Sequence, residues 1–392
     1  MSVNTMDIQD IRTIVNSIHN QATGHSVLTA TSTADFVSQA TTALQAAPDT
    51  VYSQLMQVVM RPIFAVRDYN EKFSGLFLEN NQFGAIKRKI SFSDKDIQTA
   101  EQVFHPVDNT TVDQFLINKA DPVEMRFYGS AVYQDWVTTF REQLKVAFSN
   151  EEELGGFITA LATHQNNKYK QYRENLARAT LSNFVAAKYS ALNGVYHLLT
   201  EYNTLTAMSP ALTAQEVWQP GNVEPFFRWV RGRINNIARL MNERSEEFQV
   251  QLTGHSISRH TPYEDMRMYL NANALDIIDT MVNTTTYHDE PLAYADVEAV
   301  SFWQSIKTPD EINVTPTYID AAGAVQTAGS AVNVQKLFGV IFDRDAVGIN
   351  QEMYDIDVSP YNARGKYWNT FLTSRCTYMN DLTEKGAILL LD

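Results

Sequence analysis

The chain has 392 residues, and its 45 Asp and Glu against 31 Lys and Arg give a formal net charge of -14 at pH 7. This balance disfavours a nucleic-acid-binding protein and attachment to anionic membranes. A hydrophobic content of 44% excludes disorder as the main state. The single cysteine excludes an internal disulfide framework and a Cys-rich zinc site.

The first part of the chain reads as a helix followed by an arm. Isoleucine and valine recur at helical spacing across Asp7 to Asn20, which predicts a short amphipathic helix. Gln21 to Thr50 is rich in Thr, Ser, Gln and Ala and has the character of an arm without its own core. A second apolar stretch runs from Val51 to Val66.

Two strand-like segments follow the arm. Phe73 to Leu78 and Ala85 to Phe92 have strand character, and the second alternates apolar and polar residues. The residues between them, Asn80 to Gly84, have turn composition. We therefore expect the two segments to pair as a hairpin.

The middle of the chain favours long helices. Proline is absent between Pro122 and Pro210, and glycine is absent between Gly156 and Gly194. The spacing predicts three amphipathic helices in this region. They are a helix carrying Tyr133, Trp136, Val137, Phe140 and Leu144, a long one from Leu154 to about Leu199, and one starting at Pro225. The second would span about 60 Å and serve as a strut.

The last third of the sequence mixes strands and helices. The predicted elements are a strand at Met266 to Leu270, a helix near Leu275 to Val282, and strands at Leu337 to Phe342, Tyr367 to Tyr378 and Ala387 to Leu391. Ala387 to Leu391 is also the longest apolar run, far shorter than the roughly 18 residues that a membrane span needs.

Residues with catalytic or metal-binding potential are scattered. No phosphate-binding loop, nucleophile elbow, zinc-protease or EF-hand motif is present. His255, His260 and Glu264 could contact a metal, but a loop with satisfied polar side chains is the favoured interpretation. The Asp343 to Asp345 run is interpreted as a charged turn, and Cys376 as a core residue and not a nucleophile.

Two further groups suggest contact with nucleic acid or with a neighbouring chain. The basic run Lys87, Arg88 and Lys89 could touch nucleic acid or an acidic neighbour, although a solvated strand face is the more frequent situation. The aromatic group around Phe226 and Trp229 could stack on bases, but its helical spacing favours core packing.

Two segments resemble a known family. Tyr361 to Thr370, placed after Phe342 to Gly348 and before the terminal strand, resembles the C-terminal end of major capsid proteins from short-tailed phages. His260 to Met266 is similar to the loop and strand that enter the axial domain of those proteins. The order of arm, hairpin, long helix, second helix, mixed domain and closing strands agrees with this resemblance over essentially the whole chain.

The resemblance implies an α+β tailed-phage major capsid (Johnson) fold. Its parts would be an N-terminal arm (1–66), an extended hairpin (67–130), a peripheral domain with the spine helix (131–255), an axial domain (256–340) and a return to the peripheral sheet (341–392). No residues for the Lys–Asn isopeptide cross-link of some family members can be aligned, so we expect non-covalent stabilisation.

The resemblance also implies a structural virion protein without catalytic residues, cofactor or metal. We expect pentamers and hexamers of an icosahedral head, assembled with a scaffolding protein and a portal in the host cytoplasm. The head would enclose double-stranded DNA without binding it specifically, and no membrane would be involved. The expected intersubunit contacts are Phe73, Lys87, Arg88, Lys89, Ile90, Tyr361, Asn362 and Arg364.

Two alternatives remain open from the sequence alone. The first is another virion component, such as a connector or an internal protein, which copy number per particle would distinguish from a shell subunit. The second is an acidic cytosolic enzyme with an unrecognised site, for example around His255, His260 and Glu264.

If the chain is a shell subunit, replacing the basic run Lys87 to Lys89 with glutamate is expected to block shell assembly and to leave the monomer folded.

Overall fold

The computed structural model describes residues 72–78, 87–95, 108–109, 111–115, 117–127, 130–142, 151–285 and 296–392. The N-terminal helix, the arm, the apolar stretch Val51 to Val66 and the turn Asn80 to Gly84 lie outside these residues. Within them the helices are α1 (Glu151–Ser190), α2 (Leu198–Thr206), α3 (Val223–Asn242) and α4 (Ala272–Thr285).

The strands divide among two larger sheets and several pairs. They are β1 (Phe77–Leu78), β2 (Lys87–Ser93), β3 (Asp121–Phe127), β4 (Ala131–Phe140), β5 (Val195–His197), β6 (Met266–Asn271), β7 (Asp296–Val300), β8 (Ile312–Val314), β9 (Thr317–Ile319), β10 (Val325–Thr327), β11 (Val332–Val334), β12 (Leu337–Asp343), β13 (Val347–Val358), β14 (Tyr367–Asn380) and β15 (Gly386–Leu390). In the described part of the chain, β8 pairs with β11, β9 with β10, and β2 with β3.

A five-stranded sheet has the order β5-β15-β12-β6-β7 and helices on both faces. Ile388 and Leu390 of β15 pack with Phe184 of α1 in one core. Ala387 and Leu389 point to the other face and pack with α2, α3 and α4 in a second core. Burial on both faces explains why β12 and β15 are continuous apolar runs in the sequence.

A four-stranded sheet has the order β1-β13-β14-β4. One of its faces contacts the middle of α1, where the Tyr133 and Tyr172 rings lie 5.0 Å apart and the Tyr169 and Tyr354 rings 4.9 Å apart. The C-terminal half of α1 covers the five-stranded sheet. The 40 residues of α1, about 60 Å at 1.5 Å each, therefore connect both sheets.

The long helix is confirmed, but its predicted end near Leu199 is wrong. α1 ends at Ser190, and Leu192 and Gly194 then take φ values of 50° and 72°. This reversal lets β5 pair in parallel with β15. The tertiary pairing overrides the helical spacing of the apolar residues, and a separate helix, α2, begins at Leu198.

The helix predicted around Tyr133 to Leu144 is also wrong over the described residues. Ala131–Phe140 is strand β4, which pairs with β14 from Ala131 opposite Cys376 to Phe140 opposite Tyr367. Apolar residues at 133, 136, 137 and 140 fit a helical face, but the segment is rich in β-branched and aromatic residues. Those residue types favour a pleated sheet, and in this segment their preference outweighs the helical spacing of the apolar residues.

The predicted hairpin has the wrong strand partners. β1 pairs in parallel with β13, through Phe77 opposite Ile349. β2 instead pairs antiparallel with β3, from Lys87 opposite Phe127 to Ser93 opposite Asp121. The strand predicted over Ala85 to Phe92 is confirmed, but the one predicted over Phe73 to Leu78 is a strand only at Phe77 and Leu78, because Ser74–Leu76 forms a 3-10 helix. The predicted helix from Pro225, the helix near Leu275 and the four C-terminal strands are also confirmed. β13 was not predicted.

Candidate functional site

The paired strands β2 and β3, here called the β2–β3 ribbon, have two different faces. Ile90 and Phe92 are 54% and 60% exposed on the outer face. Arg88 lies on the same face and pairs with Glu124, with 2.7 Å between Nε and Oε1. Hydrogen bonds from Arg126 and Arg88 lower the pKa of Glu124 to about 2. The outer face is thus apolar at one end and basic at the other.

The inner face of the ribbon docks on the body of the same chain. Met125 and Phe127 pack with Leu252 and Met379 in a small buried cluster. Beside this cluster, Lys89 Nζ lies 2.9 Å from Asp381 Oδ2 and also contacts Glu384. The docking is therefore both apolar and ionic.

Arg259 completes the ionic part of this junction. Its guanidinium lies 2.5 Å from Glu384 Oε1 and donates to Ser91 Oγ at 3.0 Å. Thr383 donates to Asp381 Oδ1 at 2.6 Å. Two cations therefore face two carboxylates in a buried network, which we call the ribbon junction (Lys89, Arg259, Asp381, Glu384).

Burial and charge act against each other in the ribbon junction. Burial alone would lower the pKa of Lys89, but the adjacent Asp381 and Glu384 carboxylates raise it above its ordinary value. Burial raises the pKa of Glu384. Asp381 is more deeply buried, yet Lys89 and the hydrogen bond from Thr383 hold its pKa below the usual range. The opposing carboxylates thus favour the charged form of Lys89, and Lys89 in turn favours the charged form of Asp381.

A row of polar contacts continues along the ribbon. Asp94 accepts from the Ser258 backbone N–H at 2.8 Å and from Arg244 at 2.6 Å. At the other strand, His255 Nδ1 lies 3.0 Å from Asp121 Oδ2. These contacts fix the ribbon to the loop that precedes β6.

The structure gives no support to a metal site in that loop. His255 is engaged with Asp121 on the ribbon. Within the described ranges, which include His255, His260 and Glu264, no group of three His, Cys, Asp or Glu side chains could hold a metal ion.

The predicted intersubunit residues lie on separate elements. Phe73 is 1% exposed, with its ring 5.3 Å from that of Tyr269. Lys87 begins β2, and Ile90 is exposed on the ribbon. Their role between subunits stays a prediction.

The C-terminal group of predicted contacts forms one turn before β14. The Tyr361 ring lies 4.7 Å from that of Trp368. The Asn362 side-chain oxygen accepts from the backbone N–H groups of Arg364 and Gly365 at 3.1 and 2.9 Å. This turn is exposed at Asn362 and Arg364.

Three other interpretations of single residues are confirmed. Cys376 is 3% exposed, and burial raises the pKa of its thiol. Phe226 and Phe227 are fully buried in the second core. Asp343 begins a charged turn and accepts from the backbone N–H of Asp345 at 2.8 Å.

Sequence reasoning missed the partners of Lys89. Asp381 to Lys385 has the composition of an exposed polar turn between two strands, yet all five residues are buried. No local pattern marks a buried charge whose partner is almost 300 residues away, so neither Asp381 nor Glu384 could be found this way.

The family comparison decides what this architecture is. Residues 11–389 match the family described as Phi29-like phage major capsid protein. The chain belongs to this family. As a Phi29-like major capsid protein it is a structural subunit of a phage virion, and it assembles with other subunits into a capsid shell. No curated protein matches it in sequence.

Solved structures show the same fold. A chain in the capsid structure of Staphylococcus phage Andhra matches with a TM-score of 0.54 at 11% identity, over 82% of this chain and 84% of that chain. A chain in the structure of the head fiber and inner core protein of native bacteriophage P68 matches with a TM-score of 0.51 at 9% identity, over 81% and 83%. The predicted α+β tailed-phage capsid fold is thereby confirmed. None of the helices in the described ranges contains a stretch long and apolar enough to cross a membrane.

Proposed function

We propose that this capsid protein forms the pentamers and hexamers of an icosahedral head that encloses double-stranded DNA. A scaffolding protein and a portal are its assembly partners in the host cytoplasm, and its role is structural, without catalysis. The observation that carries this proposal is the two-faced ribbon. Its inner face is satisfied within the chain, whereas Ile90 and Phe92 remain more than half exposed on its outer face.

The exposed apolar residues of a two-stranded ribbon are expected to be buried against another part of an assembly. Two strands alone are marginally stable in water, and exposed apolar patches mark interaction sites. Because Arg88 and Arg126 share the outer face with only Glu124, its basic end favours an acidic neighbour. The chain has a net charge of -14, so another copy offers such a surface.

The ribbon supports one segment of the proposed division of the chain. Strands β2 and β3 fall inside the segment 67–130 assigned to the extended hairpin. We propose the same five segments for the mature subunit: arm 1–66, hairpin 67–130, peripheral domain 131–255, axial domain 256–340 and the return 341–392.

The net negative charge of the chain is compatible with a shell that surrounds packaged DNA. A chain with 14 more acidic than basic residues repels phosphates overall. Encapsidated DNA would then contact the shell without specific binding, which leaves it free to enter and leave.

The test is assembly of charge-reversal variants, co-expressed with the scaffolding protein and viewed by negative-stain microscopy. Arg88→Glu should abolish shells and leave the circular dichroism of the monomer unchanged. Lys89 is kept, because it holds the ribbon junction inside the chain. Arg228→Glu is the matched control, since Arg228 pairs with Glu224 at 2.6 Å and is as exposed as Arg88.

Three outcomes decide the proposal. Shells from the unaltered chain and the Arg228 variant, but not from the Arg88 variant, support it. If the unaltered chain, the Arg88 variant and the Arg228 variant form shells equally well, the outer face of the ribbon is not needed for assembly. If the unaltered chain never forms rings or shells, the assembly proposal itself fails.

A further inference from the structure

A mainly apolar cavity lies between α1 and the four-stranded sheet. Its walls include the rings of Tyr133, Tyr169 and Tyr172 and the side chain of Leu372. Its volume is about 240 Å³. An engineered apolar cavity of about 150 Å³ binds a benzene molecule, so this cavity has room for a single ring with a short substituent.

Contacts within the chain fix the walls of the cavity. The Tyr133 ring lies 5.0 Å from the Tyr172 ring, and the Tyr133 hydroxyl hydrogen-bonds with the hydroxyl of Tyr378. The Tyr169 hydroxyl accepts from Gln351 Nε2 at 2.7 Å. The shape of the cavity is therefore set in the folded subunit, which lowers the cost of ordering the site when a molecule binds.

Gln165 brings an unused hydrogen-bond donor to this cavity. The residue lines the cavity and is only 4% exposed. Its Nε2 atom is buried and has no hydrogen-bond partner among the described residues. A buried donor without a partner is costly. The terminal amide of glutamine rotates over a broad range, so Nε2 can be turned towards an acceptor that enters the cavity.

The cavity is suited neither to an ion nor to water alone. Asp135 and Lys168 also line it, but they pair with each other at 2.6 Å, so neither charge is left for a ligand. An ion buried without a counter-charge is strongly unfavourable. A buried water makes about three hydrogen bonds, and the mainly apolar walls do not offer that number.

We propose that this cavity binds a compact, uncharged, mainly apolar molecule that carries one hydrogen-bond acceptor, such as an aryl ketone. The apolar body packs on the tyrosine rings and on Leu372, and the acceptor receives the hydrogen bond of Gln165 Nε2. This inference concerns the folded subunit and goes beyond the proposed shell function.

Such a ligand would hold the long helix to the sheet. Tyr169 and Tyr172 belong to α1, whereas Tyr133 is on β4 and Leu372 on β14. The cavity exists only while α1 is packed on these strands. A molecule that binds there therefore stabilises the folded subunit by mass action.

Two probe molecules of nearly equal shape test the donor. Acetophenone has a ketone oxygen, and α-methylstyrene has a methylene group in the same place. Ligand-observed NMR titrations of the unassembled subunit measure both dissociation constants, which should be on the order of millimolar for molecules of this size.

Gln165→Met removes the donor and keeps an unbranched side chain of similar length. Acetophenone should bind about twofold to tenfold more weakly to this variant, which is the factor expected for one hydrogen bond. The affinity for α-methylstyrene should not fall, because this probe accepts no hydrogen bond. The variant should fold, since the change removes an unpaired buried donor.

Leu372→Phe tests the location of the probes. The larger ring fills part of the cavity, so both probes should bind at least about tenfold more weakly, because the ligand and the phenyl ring would occupy the same space. Circular dichroism checks that the variant is folded. If it is not, the comparison of the two probes on Gln165→Met decides the question alone.

The outcomes either support or overturn the proposal. Saturable binding of both probes, weakened for acetophenone alone by Gln165→Met and for both by Leu372→Phe, supports it. The proposal fails if the unaltered subunit binds neither probe saturably, or if Gln165→Met affects the two probes equally. Unchanged binding to a folded Leu372→Phe subunit also overturns it, because the probes then bind elsewhere. None of these measurements uses shell assembly, so their failure leaves the proposed function standing.

Discussion

Lys89 Nζ lies 2.9 Å from Asp381 Oδ2, although 292 positions separate the two residues. Lys89 is on the ribbon, and Asp381 is in the loop before β15. The side chain of Asp381 is fully buried, whereas that of Lys89 is 19% exposed. Lys89 thus brings a positive charge to a carboxylate that water does not reach, and it joins the ribbon to the body.

Replacing Lys89 should destabilise the subunit. Lys89→Met leaves Asp381 buried without its ion-pair partner, and breaking a buried ion pair on one side costs about 3–5 kcal/mol. Partial exposure of Lys89 places the expected loss in the free energy of unfolding near the lower figure. Urea denaturation of the monomer, followed by circular dichroism, measures it.

Arg88→Met is the control for this experiment. Arg88 is the neighbouring cation on β2, but its pair with Glu124 is exposed, with 57% and 29% of the two side chains accessible. Exposed pairs contribute little to stability, so the denaturation midpoint should hardly move. Equal losses from both variants would show that the ribbon junction is not what holds the ribbon.

The sequence predicts elements well where the local apolar pattern matches the way in which the element is buried. α3 was predicted because its apolar residues recur at helical spacing and Pro225 lies in its first turn. β12 and β15 were predicted because strands buried on both faces are continuous apolar runs. In each of these cases the local signal and the tertiary environment agree.

Long-range pairing could not be predicted in the same way. β1 pairs with β13, and nothing in the Phe77–Leu78 segment identifies a partner 272 residues away. β4 was interpreted as a helix because Tyr133, Trp136 and Phe140 also fit a helical period. Its alternation was weak, since both faces of the strand carry aromatic residues.

Lys188 should make stability rise with pH above neutrality. It is fully buried near the end of α1, where Nζ donates to the carbonyl oxygens of Phe248 at 2.5 Å and Glu384 at 3.2 Å. Burial lowers its pKa from an ordinary value of 10.5 to about 7. Between these values the unfolded chain holds a proton that the folded chain has released, so stability increases with pH.

The measurement is the free energy of unfolding from pH 7 to 9.5 for the unaltered chain and for Lys188→Met. The contribution of Lys188 is up to about 1.4 kcal/mol per pH unit, so the two curves should diverge over this window. Comparison of the two chains removes the parallel effect of Lys385, whose pKa is also lowered by burial. Parallel curves would show that Lys188 stays protonated in the folded protein.

Gly194→Ala should destabilise the pairing of β5 with β15. Gly194 has φ +72°, and a Cβ atom there would lie 2.5 Å from the carbonyl oxygen of Gly386. The Gly194 carbonyl also accepts from the Ile388 N–H at 2.7 Å, so the backbone cannot retreat without losing a sheet hydrogen bond. Thermal unfolding should show a clear fall in Tm.

Gly254→Ala separates the clash from the strain of positive φ. Gly254 has φ +84°, but nothing lies within 4 Å of the position of its Cβ. The left-handed conformation alone costs an alanine about 1–2 kcal/mol, so this variant should lose less than Gly194→Ala. Similar losses would mean that the close approach to Gly386 carries no extra cost.

Removal of residues 387–392 should give insoluble protein. Ile388 and Leu390 fill one core and Ala387 and Leu389 the other, and all four are at most 1% exposed. Each large aliphatic side chain contributes about 1.5–3 kcal/mol by its burial, and a typical domain has only about 5–15 kcal/mol of net stability. The deletion also leaves β5 and β12 without the strand between them.

Deletion of Asp392 alone is the control, because it removes only the hydrogen bonds to Thr200 and His197 and keeps β15 intact. Solubility after lysis and shell formation are the measurements, and a soluble, assembling protein that lacks residues 387–392 would contradict the central position of β15.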